Sequence, residues 1–237
     1  MLDPHKVVYC FVSKKKETPS TYTLYLSLLD DKPITYSAGQ CITVYFSDLN
    51  VSSGKIYSIS SAPHEYENVF SITVRAVGAY SNKLCSLELG DTIMGSVPYG
   101  CFNPPEDNLS LVMMAGGIGI TPFRSIIFDS LFCKQQRKLL LFHSSQTLEE
   151  CIFRNDFRLA QEQNKSLQTK IFITRENEHH PHITKRRINT HDIELIKSEY
   201  PESIYMISGS VSFVRNQYQN LVELGVAKQL IQTETCM

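Results

Sequence analysis

The chain has 237 residues, 42% hydrophobic and 20% charged, with a formal net charge of −1, enough for one large domain or two ordinary ones with a real core. A balance this close to neutral lacks the basic footprint of a nucleic-acid binder, and the runs Lys14–Lys16 and Lys185–Arg187 read as solvated surface. MLDPHKVVYC has no leader pattern and the longest apolar run, LSLVMMAGGIGI at 109–120, is short and glycine-rich, so no membrane partner and a cytoplasmic location are expected.

Through residue 104, short β-rich runs are separated by turn residues: KVVYCFVS, TYTLYLSLL, QCITVYF, KIYSISS, NVFSITVRAV and DTIMGSVPYG. Phe70, Ile72 and Val74 alternate with Ser71, Thr73 and Arg75, the pattern of an antiparallel barrel or sandwich. A short helix is expected over Ser81–Leu89. NPPEDN (103–108) reads as a linker, and beyond it strands and helices alternate. LSLVMMA is a strand; TPFRSIIFDSLFCKQ is a helix with Phe123, Ile126, Ile127 and Leu131 on one stripe; RKLLLFHSS is a strand again. TLEECIFRNDFRLAQEQ follows as a helix, with Thr147 and Glu150 fitting a capping box. TKIFITR, THDIELIKSEY, SIYMISG and SFVRNQYQNLVELG continue the alternation to Gly225, a C′ residue, and KQLIQTE is a last strand. The expected architecture is therefore an antiparallel β domain over 1–104 and an α/β doubly wound parallel sheet over 105–237. A ligand held by the first could meet one held by the second, since doubly wound sheets bind beyond the carboxyl ends of their strands.

Seven cysteines are scattered without CxxC spacing, so no zinc or iron–sulfur site is expected, and mostly buried, reduced thiols are. Any cluster chemistry then belongs to a partner. His179, His180 and His182 read as a polar loop, not a metal tract.

Two stretches carry chemistry. MAGGIGITPFRS (114–125) places Gly116, Gly117 and Gly119 between a strand and a helix, where absent Cβ atoms let a phosphate approach the backbone and the helix start offers free N–H groups. Pro122 suits the first helical turn. The stretch is neither a Walker loop nor a full GxGxxG, and a plain structural turn is the alternative. GKIYSISSAP (54–63) puts Lys55, Tyr57 and Ile59 on one side of a strand and Ser58 and Ser60 on the other. Lysine could meet a phosphate, tyrosine a planar cofactor and serine a ring nitrogen; an ordinary amphipathic strand with a solvent-facing lysine explains the pattern as well.

Together these stretches resemble the ferredoxin–NADP reductase superfamily, over nearly the whole chain. Its Arg-x-Tyr-Ser-x-x-Ser strand is matched by Lys55–Ser61, with lysine for arginine, and its Gly-x-x-Ser helix start by Gly78, Ala79, Tyr80 and Ser81 after Thr73 and Val74. Leu89-Gly90-Asp91 follows that helix start, and the family's Gly-x-Phe element resembles Gly100-Cys101-Phe102. Its Gly-Gly-x-Gly-Ile-Thr-Pro motif is matched residue for residue by Gly116–Pro122. The family's late Cys-Gly becomes Ser208-Gly209, and its terminal glutamate becomes Glu234, followed by Cys236 and Met237 without an aromatic.

The resemblance implies a flavin-binding β-barrel followed by a nicotinamide-nucleotide domain. It implies FAD contacts by Lys55, Ile56, Tyr57, Ser58, Thr73, Val74, Gly78, Ala79, Tyr80 and Ser81. Gly117, Ile118, Gly119, Thr121 and Gly209 would hold the nicotinamide nucleotide; Ser58, Ser208 and Glu234 would lie near the hydride path. Thr174, Arg175, Arg186 and Arg187 would grip a 2′-phosphate, favouring NADP(H) over NAD(H), although Glu176 beside Arg175 is the residue type that binds ribose hydroxyls. The implied activity is reduction of FAD by NAD(P)H and onward transfer to a one-electron acceptor: a ferredoxin, flavodoxin or oxygenase component. Two alternatives stay open, a flavin reductase that releases its flavin and a non-catalytic flavin- or nucleotide-binding electron-transfer subunit.

Overall fold

The structure is a computed structural model and describes residues 6–49, 53–105, 108–176 and 183–236. Parts of the NPPEDN linker, the three histidines at 179, 180 and 182, and Met237 lie outside them. Backbone contacts divide the chain into two compact units, Met1–Asn103 with Arg124–Phe132, and Pro104–Phe123 with Cys133–Met237.

The first unit holds β1 (Lys6–Thr18), β2 (Thr21–Leu28), β3 (Cys41–Tyr45), β4 (Lys55–Ser58), β5 (Val69–Arg75), α1 (Ala79–Cys85) and β6 (Thr92–Ser96). Six strands run antiparallel in the order β4-β3-β6-β1-β2-β5. The two ends of that sheet meet at one bridge, Ile59 with Ile72, and the Ser60 N–H donates to the Ser71 carbonyl at 2.7 Å. The sheet thus closes into a barrel, which removes exposed edges. Tyr9, Leu24, Leu26, Ile42, Phe70 and Ile72 fill its interior, because alternate residues of each strand face inward.

The second unit holds β7 (Ser110–Gly116), a 3-10 turn (Gly117–Ile120) that runs into α2 (Thr121–Phe132), whose residues from Arg124 onward belong to the first unit, and then β8 (Leu139–Ser145), α3 (Arg154–Gln163), β9 (Leu167–Ile173), β10 (Ile183–Thr184), α4 (Thr190–Glu199), β11 (Ser203–Gly209), α5 (Val211–Glu223) and β12 (Ile231–Thr235). All strand pairs are parallel, in the order β10-β9-β8-β7-β11-β12. Strand order reverses between β7 and β11, the switch point of a doubly wound sheet. Central strands β7, β8 and β11 are almost continuously buried, as strands covered on both faces must be.

Three expectations need correction. The first helix spans Ala79–Cys85, not Ser81–Leu89, because Gly78 is its N-cap and the Ser81 hydroxyl accepts the Val77 and Gly78 N–H groups at 3.0 and 3.1 Å. The helix expected from Thr147 begins at Arg154: the Thr147 hydroxyl does accept the Glu150 N–H, at 3.3 Å, but Phe153 turns left-handed (φ 59°) with its side chain buried, which ends that turn before a helix can propagate. None of the seven cysteines forms a disulfide, but they are not mostly buried; Cys41, Cys85 and Cys151 are, whereas Cys101 and Cys133 are exposed.

Candidate functional site

In the barrel, β4 is a terminal strand of the sheet order, paired only with β3. Lys55 and Ile56 are exposed, Ile56 by 60%, while Tyr57 and Ser58 are half-buried. Tyr57 packs against the barrel core, and burial pushes its phenol above the ordinary tyrosine value, so it stays a neutral donor. The serines after Ser58 have a different role. Ser60 and Ser61 are fully buried; Ser60 Oγ lies 2.9 Å from both Ser71 Oγ and Thr73 Oγ1, and Thr73 Oγ1 lies 2.9 Å from Thr23 Oγ1. Ser61 Oγ accepts the Ser71 N–H at 2.8 Å. These hydroxyls satisfy one another inside the closing seam of the barrel, as buried polar groups must.

Thr73 and Val74 are buried in that wall, and Val74 and Tyr80 are part of the core. Tyr80 donates to the Val44 carbonyl and its ring centre lies 5.0 Å from that of Phe46, so its side chain is committed to packing. Gly78 and Ala79 are exposed. A Cβ added to Gly78 would meet nothing within 4 Å. Its φ of −152° is extended backbone open to any residue, so neither packing nor conformation asks for glycine there. The space in front of the α1 start is open.

Sequence reading missed the brace behind β4. Arg124 donates to both Glu65 oxygens at 2.9 and 2.7 Å and to the Ser60 carbonyl at 3.0 Å, and Ser125 Oγ donates to the Ser61 carbonyl at 2.6 Å. Burial would raise the Glu65 carboxyl, but the Arg124 guanidinium outweighs it and holds the group below its ordinary value. Nothing in hydrophobic periodicity signals a pair 59 residues apart.

In the second unit, the register sets Ala115 beside Ser208 and Ser208 beside Glu234, so the carboxyl ends of β7, β11 and β12 lie side by side. A Cβ on Gly119 would fall 2.4 Å from the Ser208 carbonyl oxygen, and one on Gly116 2.7 Å from the Phe213 ring. Gly117 sits at φ 56°, where glycine is favoured. Much of the glycine requirement is therefore internal packing, while Gly117 and Ile118 remain partly exposed at the loop tip. Thr121 is buried and its hydroxyl donates to the Ile118 carbonyl at 3.1 Å. Ser208 is fully buried with its Oγ 3.7 Å from Cys236 Sγ; burial pushes that thiol up to about 11. Gly209 is buried, and Glu234 is half-buried.

The four residues expected to meet a 2′-phosphate differ among themselves. Arg175 and Arg187 are exposed. Arg186 is already held: it donates to both Asp192 oxygens, at 2.5 and 2.9 Å, and Lys170 adds a third bond at 2.9 Å. Burial would raise the Asp192 carboxyl, yet these partners hold it down to about 2. Thr174 is exposed and donates to the Ser145 carbonyl at 3.3 Å. Glu176 is occupied too, accepting the Leu148 N–H at 2.7 Å. The Lys14–Lys16 run is likewise partly engaged: Lys14 donates to the Cys85 and Leu87 carbonyls, and Lys15 lies 3.1 Å from Glu17. No helix among the described residues is long and apolar enough to cross a membrane.

Residues 113–219 match the family model of the oxidoreductase NAD-binding domain. The chain is 28% identical over 237 residues to the flavohemoprotein of Bacillus subtilis (strain 168), covering 95% of this chain and 58% of that protein. It spans little more than half of such relatives. Among solved structures it superposes with a TM-score of 0.85 on the FAD/NAD-binding domain of nitric oxide dioxygenase from Vibrio cholerae, at 18% identity and covering 97% and 98% of the two chains. With a ferredoxin–NADP+ reductase from Neisseria gonorrhoeae, with bound FAD and NADP, the TM-score is 0.79 at 24% identity, covering 98% and 99%.

Proposed function

We propose that this chain is a member of the ferredoxin–NADP reductase-like superfamily of flavin- and nicotinamide-dependent oxidoreductases, a cytoplasmic reductase that oxidises NAD(P)H and passes electrons to a separate redox protein. The observation that carries the reading is the Gly117–Thr121 loop at the carboxyl ends of β7 and β11, where strand order reverses. When bound, FAD supplies the conversion between two-electron exchange with NAD(P)H and one-electron release.

The chain's own part is binding and orientation. Lys55, exposed on β4, would neutralise the FAD diphosphate; Gly78, Ala79 and Ser81 at the start of α1 would hold it, and Ile56, Tyr57 and Ser58 would bind the flavin. Thr73 and Val74 form the wall behind, and Tyr80 anchors α1 through its hydroxyl. Gly117, Ile118, Gly119, Thr121 and Gly209 shape the nucleotide loop. Ser208 and Glu234, adjacent in register, line the nicotinamide side and exclude bulk water.

Arg175 and Arg187, both exposed, would meet a 2′-phosphate, with Thr174 next to Arg175 in the chain. The exposed guanidinium groups of Arg175 and Arg187 are what favour NADPH over NADH at that corner, where one Glu176 oxygen is already engaged by the Leu148 N–H. Arg186 contributes by fixing the loop through Asp192. The acceptor is a ferredoxin, flavodoxin or oxygenase component. A second reading, release of the flavin as a product, is favoured by the exposure of Lys55, a point charge without the arginine fork.

Anaerobic mixing of the FAD-loaded protein with NADPH and, separately, NADH tests the proposal. Flavin absorbance is expected to bleach with both, faster with NADPH; no bleaching by either would leave only a binding module. Loss of flavin on gel filtration after reduction would favour the second reading.

A further inference from the structure

We infer that His143 is a positioning residue for the nucleotide loop, its imidazole holding the Gly117 carbonyl while Cys151 holds the imidazole. The inference rests on reading Gly117–Thr121 as the loop that binds the nicotinamide nucleotide.

His143 lies on β8 in the apolar run LLLFHSS and is 2% exposed. A polar ring buried this deeply needs hydrogen-bond partners. Its Nε2 lies 3.3 Å from the Gly117 carbonyl oxygen, and its Nδ1 lies 3.5 Å from Cys151 Sγ. A carbonyl only accepts, so Nε2 carries the proton and donates. In the neutral ring Nδ1 is then an acceptor. Burial pushes the Cys151 thiol up to about 12, so the sulfur keeps its proton and can donate. The bonds therefore run one way: Cys151 S–H to Nδ1, and Nε2–H to the Gly117 carbonyl. The register brings this about, since Ala115 pairs with His143 and Gly116 with Ser144.

Gly117 is the loop residue that most needs such a hold. Its left-handed φ of 56° costs glycine little, and for the same reason glycine leaves it easily. A trans peptide is planar with its C=O and N–H pointing in opposite directions. Fixing the Gly117 carbonyl toward His143 therefore turns the next N–H, that of Ile118, to the opposite side. Ile118 is one of the two partly exposed residues at the loop tip, so the imidazole, acting with the backbone bonds of the 3-10 turn, biases the loop toward presenting a donor to an anionic nucleotide. Cys151 is itself fixed by its own turn, where its N–H donates to the Leu148 carbonyl at 3.1 Å and Glu176 holds Leu148.

The test uses the full FAD-loaded chain with the variants His143→Leu, His143→Gln and Cys151→Ala. Loss of the Gly117 bond in His143→Leu is expected to raise the KM for NADPH about ten-fold with kcat changed less than about two-fold. His143→Gln, whose amide N–H reaches the same carbonyl, should recover most of that loss; Cys151→Ala should raise KM about three-fold. Hydrogen exchange at the Ile118 amide, read without nucleotide, should accelerate in His143→Leu more than in His143→Gln. Equal impairment of the leucine and glutamine variants, or unchanged KM and exchange in all three, would overturn the inference. Should His143→Leu fail to fold, His143→Gln and Cys151→Ala decide the matter, and wild-type values in Cys151→Ala count against it. A wild-type chain that binds neither nucleotide sinks the functional reading instead, while the exchange comparison still judges the hold.

Discussion

At the start of α1 a Cβ added to Gly78 would meet nothing within 4 Å, whereas at the start of α2 one added to Gly119 would press to 2.4 Å of the Ser208 carbonyl oxygen. Both are glycines beside a helix start. Gly119 is needed by the chain's own packing, since no side chain fits between the loop and the end of β11. At Gly78 no packing among the described residues asks for glycine: the space a Cβ would take is open, while its N–H is held by the Ser81 hydroxyl. The same division separates Arg186, paired with both Asp192 oxygens, from Arg175, whose exposure comes with no carboxylate pairing among the bonds described above. A residue whose identity the fold does not explain is the better pointer to a ligand; one the fold does explain can still shape the site, but is no evidence for it.

Substitution can break this contrast. Gly119→Ala should cost about 3 kcal/mol, because the clash is with backbone that cannot rotate away; urea unfolding that matches the wild type would mean the loop relaxes and the packing argument fails. Arg186→Ala removes a charged partner from a buried carboxylate and should cost roughly 2 kcal/mol at neutral pH. Its pH dependence is diagnostic. The Asp192 carboxyl lies at about 2 folded against 3.8 as its ordinary value, so its contribution is complete above that value and disappears as pH falls through about 2. Arg186→Ala narrows that gap, so the urea midpoint should fall less between about pH 4 and pH 2 than in the wild type; parallel curves would refute the pairing. Gly78→Ala should be the mildest, shifting stability by less than about 1 kcal/mol, while lowering FAD retention on gel filtration. Full retention would show that open backbone there serves no cofactor.

Strand and helix types were legible because both halves carry strong periodicities: two-residue alternation through β5 and unbroken apolar runs in β7 and β8. The late start of α3 was not, since it depends on Phe153 finding a buried place in a left-handed turn, a tertiary reward that a capping-box pattern does not contain. Within KIYSISS the sequence offered Ser58 and Ser60 alike on one side. The fold separates them, burying Ser60 in a hydroxyl network and leaving Ser58 half-exposed. The Arg124–Glu65 brace and the Cys151–His143–Gly117 relay lay outside any local pattern, because each joins residues of different elements and loops that only the folded chain brings together.

Local composition alone determined that an antiparallel β half precedes a parallel α/β half, and that glycines stand where β7 meets α2. Backbone preferences and apolar spacing act over a few residues, so they are written in the chain itself. Which glycine is spare, which arginine is free and which serine faces outward were decided only in three dimensions. Those properties depend on what occupies the neighbouring space, and that space is made by segments distant in sequence.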